Sequence, residues 1–319
     1  MALSQNILKG NVKDLDQNAL PDVSIYFDGT TIGTITDEDG DFSILMPRDR
    51  SIPLIISMLG FETLQVTNYA NAKERITFNL KPSTEQLNPV MLEHDTWSRE
   101  KKLAEFKKAF FGPTRMAEKC SILNEDALQL IYRPSKESLT AYAEEPLIIE
   151  NDFLGYRVRY NLNAFKAEFE TLPCVPQHLI KLYYEGSSFF QEINEPVKRK
   201  YINNRKRAYN GSLIHFLQTL ESKTLYKNRF VIYDNKMEVA PYSKIEVAPH
   251  DDEYKKITFT SNELSVAYDG KYRTSILAEN PFYVDKFGNH TPPRSLTLNG
   301  DMGNRRIAYL LPLNYIPTK

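Results

Sequence analysis

Four acids crowd into five positions at Asp37, Glu38, Asp39 and Asp41, in the stretch TITDEDGDFSI. A cluster of this kind can ligate calcium, supply paired carboxylates for acid–base chemistry, or decorate a turn. A calcium loop of the EF type needs acids at its positions 1, 3 and 5, glycine at 6 and a bidentate Glu at 12. Asp37, Asp39 and Asp41 fit the first three, but Phe42 stands at the glycine position and Arg48 at the last. Catalytic carboxylate pairs need a set separation across a cleft and one pKa shifted by burial. Neighbouring acids in a polar run do not provide that alone. The turn accounts for more, because Asp39-Gly40 is a strong hairpin signal: glycine accepts the positive φ of tight primed turns. Residues 31–37 and 41–46 are therefore expected to be two antiparallel strands, with the acids as a solvated tip that discourages edge pairing.

Zinc hydrolysis of the carboxypeptidase kind needs two His and a Glu, entered through a His-x-x-Glu pair. Of His94, His178, His215, His250 and His290, only His250 has Glu three residues on, in the polar run HDDE, with no obvious second His. Ser212 and His215 in NGSLIH suggest a nucleophile and its base, but a nucleophile elbow is G-x-S-x-G and the second glycine is Ile214 here. A serine that caps a helix is the better account. Cys120 and Cys174 match no metal spacing and no argument lowers their pKa. In an oxidising compartment they could bridge, and otherwise each is a small core residue. No phosphate-binding glycine loop occurs, so no cofactor is expected.

The densest charge feature is the basic run Lys198, Arg199, Lys200, Arg205, Lys206 and Arg207. It is a candidate patch for an anionic partner, such as lipid headgroups, acidic glycans or an acidic protein; a solvated helix face is the plain alternative. Tyr201 and Tyr209 are interleaved with it, as in some single-strand binders. The formal net charge of the 319-residue chain is only -1, which argues against a general nucleic-acid binder.

The elements that must carry these groups read mostly as strands. With 41% hydrophobic and 25% charged residues, the chain should fold and be soluble, and its Tyr and Phe content favours sheet. Its length suits two domains of ordinary size, or one unusually large one. No apolar run approaches a bilayer span. Short alternating runs recur at 7–12, 23–27, 31–36, 42–45, 54–57, 62–66 and 75–80, the spacing of a β-sandwich. Residues 81–96 read as a linker, with one more strand possible in composition at 90–92. A helix follows, capped by Asp95 or Thr96, with Trp97, Leu103, Phe106 and Phe110 on one face and Gly112-Pro113 as its stop. Further strands are expected at 139–143, 146–150, 156–165, 178–186, 230–233, 256–260, 264–268 and 295–298. The basic run leads into a helix capped by Ser212, with Leu213, Phe216, Leu217 and Leu220 buried, and a last helical turn precedes Pro312.

Gly10-x-Val12, Asp14, LPDVSI at 20–25, GTITDEDGDF at 33–42 and ISMLGFET at 56–63 together resemble the carboxypeptidase regulatory-like domain. That resemblance spans about residues 6 to 82 and implies a transthyretin-like sandwich. The domain is a non-catalytic companion of some metallocarboxypeptidases and is common in envelope proteins of Gram-negative bacteria, including outer-membrane receptors of the TonB-dependent type. It therefore implies fold and export, not hydrolysis. The later blocks AFFGPTRMAEKCSILNED, EEPLIIENDFLGYRVRYNL, RKRAYNGSLIHFLQTL and MGNRRIAYLLPLNYIP resemble envelope proteins known only by that domain. ALSQ near the start has small residues of the sort that flank a signal-peptide cleavage site.

The expected fold class is mainly β / α+β: a transthyretin-like (Ig-like) β-sandwich over 1–82, a linker over 83–96, and a larger β-rich α+β domain over 97–319. The expected function is an exported, non-catalytic binding or accessory module of the cell envelope, periplasmic, outer-membrane-associated or extracellular. Its partner would be an envelope protein or an extracellular polymer, with no nucleic acid and no transmembrane span in this chain. The alternatives are a hydrolase with its site in 97–319, and a structural spacer.

Overall fold

A computed structural model describes residues 7–47, 52–69, 75–83, 95–172 and 178–317. The strand expected at 90–92, His94 and Cys174 lie outside the described residues, as does the ALSQ segment.

The leading segment forms β1 (Ile7–Lys13), β2 (Ser24–Phe27), β3 (Gly33–Ile35), β4 (Asp41–Leu45), β5 (Leu54–Ser57), β6 (Leu64–Val66) and β7 (Ile76–Asn79). They make two sheets, β4-β1-β7 and β3-β2-β5-β6, with β1 and β7 parallel and the other pairs antiparallel. Alternation on β1 and β4 turns Leu8, Val12, Phe42 and Ile44 inward, against Val23, Ile25, Phe27, Leu54 and Ile56 of the second sheet. Gly10 lies where the chain is closest: a Cβ there would meet the Ile76 carbonyl oxygen and the Phe42 ring, each at 2.4 Å. The acidic stretch is a turn, as expected, but it does not close a hairpin. β3 pairs β2 and β4 pairs β1, so the turn carries the chain from one sheet to the other. Alternation marks a strand without naming its partner. Thr36, just before the turn, ties it down: its buried Oγ1 accepts from Val23 N at 2.9 Å and donates to Leu20 O at 2.7 Å.

α1 (Arg99–Phe111) stops at Gly112, as its sequence indicates. Its cap differs from expectation. Ser98 Oγ accepts from Lys101 N at 3.3 Å, whereas Asp95 accepts from Trp97 N at 3.0 Å and Lys102 Nζ at 2.7 Å, outside the capping position. Trp97 stacks on Tyr132 with centroids 3.7 Å apart. The next sheet holds β8 (Cys120–Ile122), β9 (Leu128–Arg133), β10 (Ser138–Ala143), β11 (Leu147–Asn151), β12 (Tyr156–Glu170) and β13 (His178–Glu192). β11 and β10 pair in succession along one edge of β12, and β13 runs antiparallel along the other. β12 and β13 run longer than expected, through register shifts at Leu162/Ala164 and Glu168/Phe169.

The remaining elements are α2 (Arg199–Tyr209), α3 (Leu213–Glu221), β14 (Phe230–Asp234), β15 (Met237–Val239), α4 (Pro241–Lys244), β16 (Ile245–Pro249), β17 (Tyr254–Phe259), β18 (Glu263–Tyr268), β19 (Tyr272–Ala278), β20 (Phe282–Asp285), β21 (His290–Thr291), β22 (Leu296–Gly300) and α5 (Asp301–Asn304). Two antiparallel sheets result, β15-β14-β18-β19-β22 and β16-β17-β20-β21. Phe216, Leu217 and Leu220 of α3 pack with Phe230, Ile232, Ile257, Ile276 and Phe282 in one core. A short 3-10 turn at Ile307–Tyr309 answers the last helical turn expected.

Two compact units emerge: one is 1–109, 121–195 and 312–315, the other 110–120, 196–311 and 316–319. The first runs across the 83–96 segment, because the sandwich shares its unit with β9–β13, and the second takes its residues from 110 onward. The architecture is mainly β, with a leading β-sandwich followed by a β-rich remainder.

Candidate anion-binding surface

α2 owes its position to three inward residues, Tyr201, Arg205 and Ala208, at i, i+4 and i+7. The basic run therefore divides. Lys198, Arg199, Lys200, Lys206 and Arg207 are exposed, whereas Arg205 is turned inward and only 5% exposed. At 100° per residue Arg199, Lys200, Lys206 and Arg207 span one continuous arc, with Asn203 within it and Ile202 at its border. Lys200 lies over the Tyr201 ring, 4.6 Å from its centroid. Lys198, Arg199, Lys206 and Arg207 have no ion pair among the described residues.

The helix RKYINNRKRAY contains no acid at all. A helix face that only needs solvation usually mixes signs, which adds support between residues three and four apart. Arg199 and Lys200 also stand at the N-terminal end, where the helix dipole disfavours cations. Helix stability does not account for this composition, so its cations are the strongest candidate recognition surface among the described residues.

The other sequence candidates are committed to structure. Ser212 Oγ accepts from His215 N at 3.2 Å as the cap of α3. His215 Nδ1 in turn accepts from Gly211 N at 3.1 Å, so the imidazole does not face the hydroxyl as a base. Burial pushes the His215 pKa down to about 4, opposed by a hydrogen bond that the imidazole donates to Asn228 and reinforced by Arg305. Asp251 accepts from Glu253 N at 2.9 Å and Tyr254 N at 2.7 Å, a turn lock within HDDE, and the His250 ring lies tilted against Tyr283, centroids 4.4 Å apart. Asp37 Oδ1 accepts from Asp39 N at 3.1 Å and Asp41 N at 2.8 Å, and Asp41 pairs with Asn11 and Arg75. Cys120 carries a free thiol, pushed up to about 12 by burial. No group of three or more His, Cys, Asp or Glu side chains among the described residues could hold a metal ion. No helix among them is long and apolar enough to cross a membrane.

A polar cluster that sequence reasoning missed lies within the first unit. Ser188 N donates to Asp28 Oδ1 at 2.7 Å, and Asn161 Nδ2 donates to Tyr26 Oη at 2.7 Å and Ser187 Oγ at 3.0 Å. Gly29 N donates to Ser188 O at 2.7 Å and Phe190 N to Thr30 O at 3.0 Å, so the β2–β3 turn docks on the outer edge of β13. Desolvation raises the Asp28 pKa to about 6, tempered by the N–H groups of Ser188 and Gly29. Burial likewise pushes Tyr26 up to about 12. Partners separated by 135 to 161 residues leave no local pattern to read.

Residues 8–92 match the family model described as "CarboxypepD_reg-like domain". The match covers the leading sandwich and the segment after it, and supports the regulatory-like reading of that part of the chain. It includes none of the later sheets and none of α2. No curated protein matches the chain.

Proposed function

We propose that this chain is an exported, non-catalytic binding or accessory module of the bacterial cell envelope, and that α2 is where it meets an anionic partner. The observation that carries the reading is a helix with five cations and no acid, four of whose side chains point to solvent. The likeness of residues 8–92 to a regulatory-like domain supports an accessory role. Lys198 at the helix start extends the same exposed charge.

Retention on polygalacturonate, a simple polyanion, tests the surface, with neutral dextran as control. The intact chain should bind at low salt and release as salt screens the contact. A variant carrying Lys198→Gln, Arg199→Gln, Lys206→Gln and Arg207→Gln should bind about tenfold more weakly, and equal retention would overturn the assignment. Fractionation of the bacterium that encodes the chain tests export: a purely cytoplasmic pool refutes that part.

A further inference from the structure

The five-stranded sheet of the second unit ends at β15, and no strand among the described residues pairs with its outer edge. β15 follows β14 through a two-residue turn, Asn235-Lys236, with φ of 48° and 67°, the pattern of a type I′ hairpin. Its register pairs Asp234 with Met237, Tyr233 with Glu238 and Ile232 with Val239. In such a hairpin the closing pair exchanges both hydrogen bonds and the next pair exchanges none. The N–H and C=O of Glu238 therefore point away from β14.

Beside this edge runs a groove of about 790 Å³. Glu238, Val239 and Tyr242 line one side, and Lys223, Tyr226 and Lys227 the other. The second wall is locked in place. Thr224 N donates to Thr219 O at 2.7 Å, Asn228 Nδ2 donates to Thr224 O at 2.9 Å, and Phe230 N donates to Leu225 O at 3.0 Å. Leu225 and Phe230 are fully buried, yet Tyr226 between them is 81% exposed. Lys223 and Arg229, at the two ends of this segment, hold left-handed φ values of 54° and 66°. Tyr242 is fixed as well, its hydroxyl accepting from Leu225 N at 3.4 Å. Aromatic rings held outward on a rigid backbone offer contact area at little entropic cost.

Charge selects the occupant. Lys223 and Lys227 have no ion pair among the described residues, and Glu238 is the one acid among the residues that line the groove. We propose that the groove takes an extended acidic peptide segment of a partner protein as an added strand on β15. The peptide backbone pairs with Glu238, its carboxylates meet Lys223 and Lys227, and its apolar side chains lie on Tyr226 and Tyr242. This site is separate from the face of α2 and does not depend on it.

Fluorescence anisotropy with a short labelled peptide of alternating Glu and Val tests the proposal on the full chain. The four-Gln α2 variant is measured alongside, so that attraction to that helix is subtracted. Glu238→Pro removes only the outward N–H, because this residue gives no ladder bond to β14, and binding should fall at least tenfold. Tyr226→Ala and Lys227→Glu should each weaken binding severalfold, and Glu238→Gln should tighten it. If circular dichroism shows that Glu238→Pro is unfolded, the exposed Tyr226→Ala and Lys227→Glu variants decide. The proposal is overturned if the peptide fails to bind at about 1 mM, if these variants bind as the parent does, or if polygalacturonate and not the peptide is lost on Tyr226→Ala.

Discussion

The Asp28 carboxylate accepts a hydrogen bond from the backbone N–H of Ser188, at 2.7 Å and across 160 residues of chain. That bond holds the sandwich turn against the outer edge of β13, and burial of the carboxylate there gives the first unit a pH dependence of its own. Burial raises the Asp28 pKa from 3.8 to about 6, so the folded state binds the proton more tightly than the unfolded chain. Stability from this group is absent above about pH 6 and accrues as pH falls toward 4. With part of the shift screened by solvent, the gain is on the order of 1–2 kcal/mol. Asp28→Asn keeps an acceptor for Ser188 N and should stabilise at pH 7 while flattening the slope. Urea unfolding against pH, followed by a probe in the first unit, measures both.

His215 slopes the other way. Its folded pKa of about 4 lies below its ordinary 6.5, so its contribution is complete above pH 6.5 and is lost as pH falls toward 4. The loss is on the order of 3 kcal/mol for so buried a group. His215→Phe should remove the acid-side loss but leave Gly211 N–H without its acceptor, at a cost of about 1–3 kcal/mol at neutral pH. Thermal melts of the two proteins at pH 5 and pH 7.5 should therefore cross.

Gly10→Ala should destabilise the sandwich by about 1–3 kcal/mol, since the new methyl would press on the Ile76 carbonyl and the Phe42 ring. Denaturant unfolding monitored on the first unit checks this. A change within 0.5 kcal/mol, the range of neutral surface substitutions, would mean the strands can move apart at no cost.

Neighbouring cations on α2 should part company. Arg205→Gln alters an inward side chain and should cost on the order of 2 kcal/mol. Lys206→Gln, one residue on and exposed, should leave the melting temperature unchanged while weakening polyanion retention.

Much of the sandwich was legible because its strands alternate and its turns carry Gly, Asp and Asn: β1, β2, β4, β5 and β7 lie where expected. The partner of each strand was not legible. Asp39-Gly40 looks the same whether it closes a hairpin or joins two sheets, and only the pairing of β3 with β2 decides. β9 carried a usable signal, Leu128, Leu130 and Tyr132 all facing inward, that went unread between two 3-10 turns. Bulges hid the true lengths of β12 and β13, because each shifts the alternation by one residue. On α2 the charge was visible but the face was not. Arg205 joined the patch in sequence, and its place opposite it follows from a helical phase set by Tyr201 and Ala208.

The turn at 28–31 also has a consequence for synthesis. Its backbone is met by Ser188 and Phe190 and by Leu313, whose N donates to Gly29 O at 2.7 Å, while Asn314 Nδ2 donates to the Thr31 side-chain Oγ1 at 2.9 Å. A ribosome must make every residue from 32 to 312 before those donors emerge. The sandwich must therefore wait with one corner open, and Leu313 and Asn314 act as its latch.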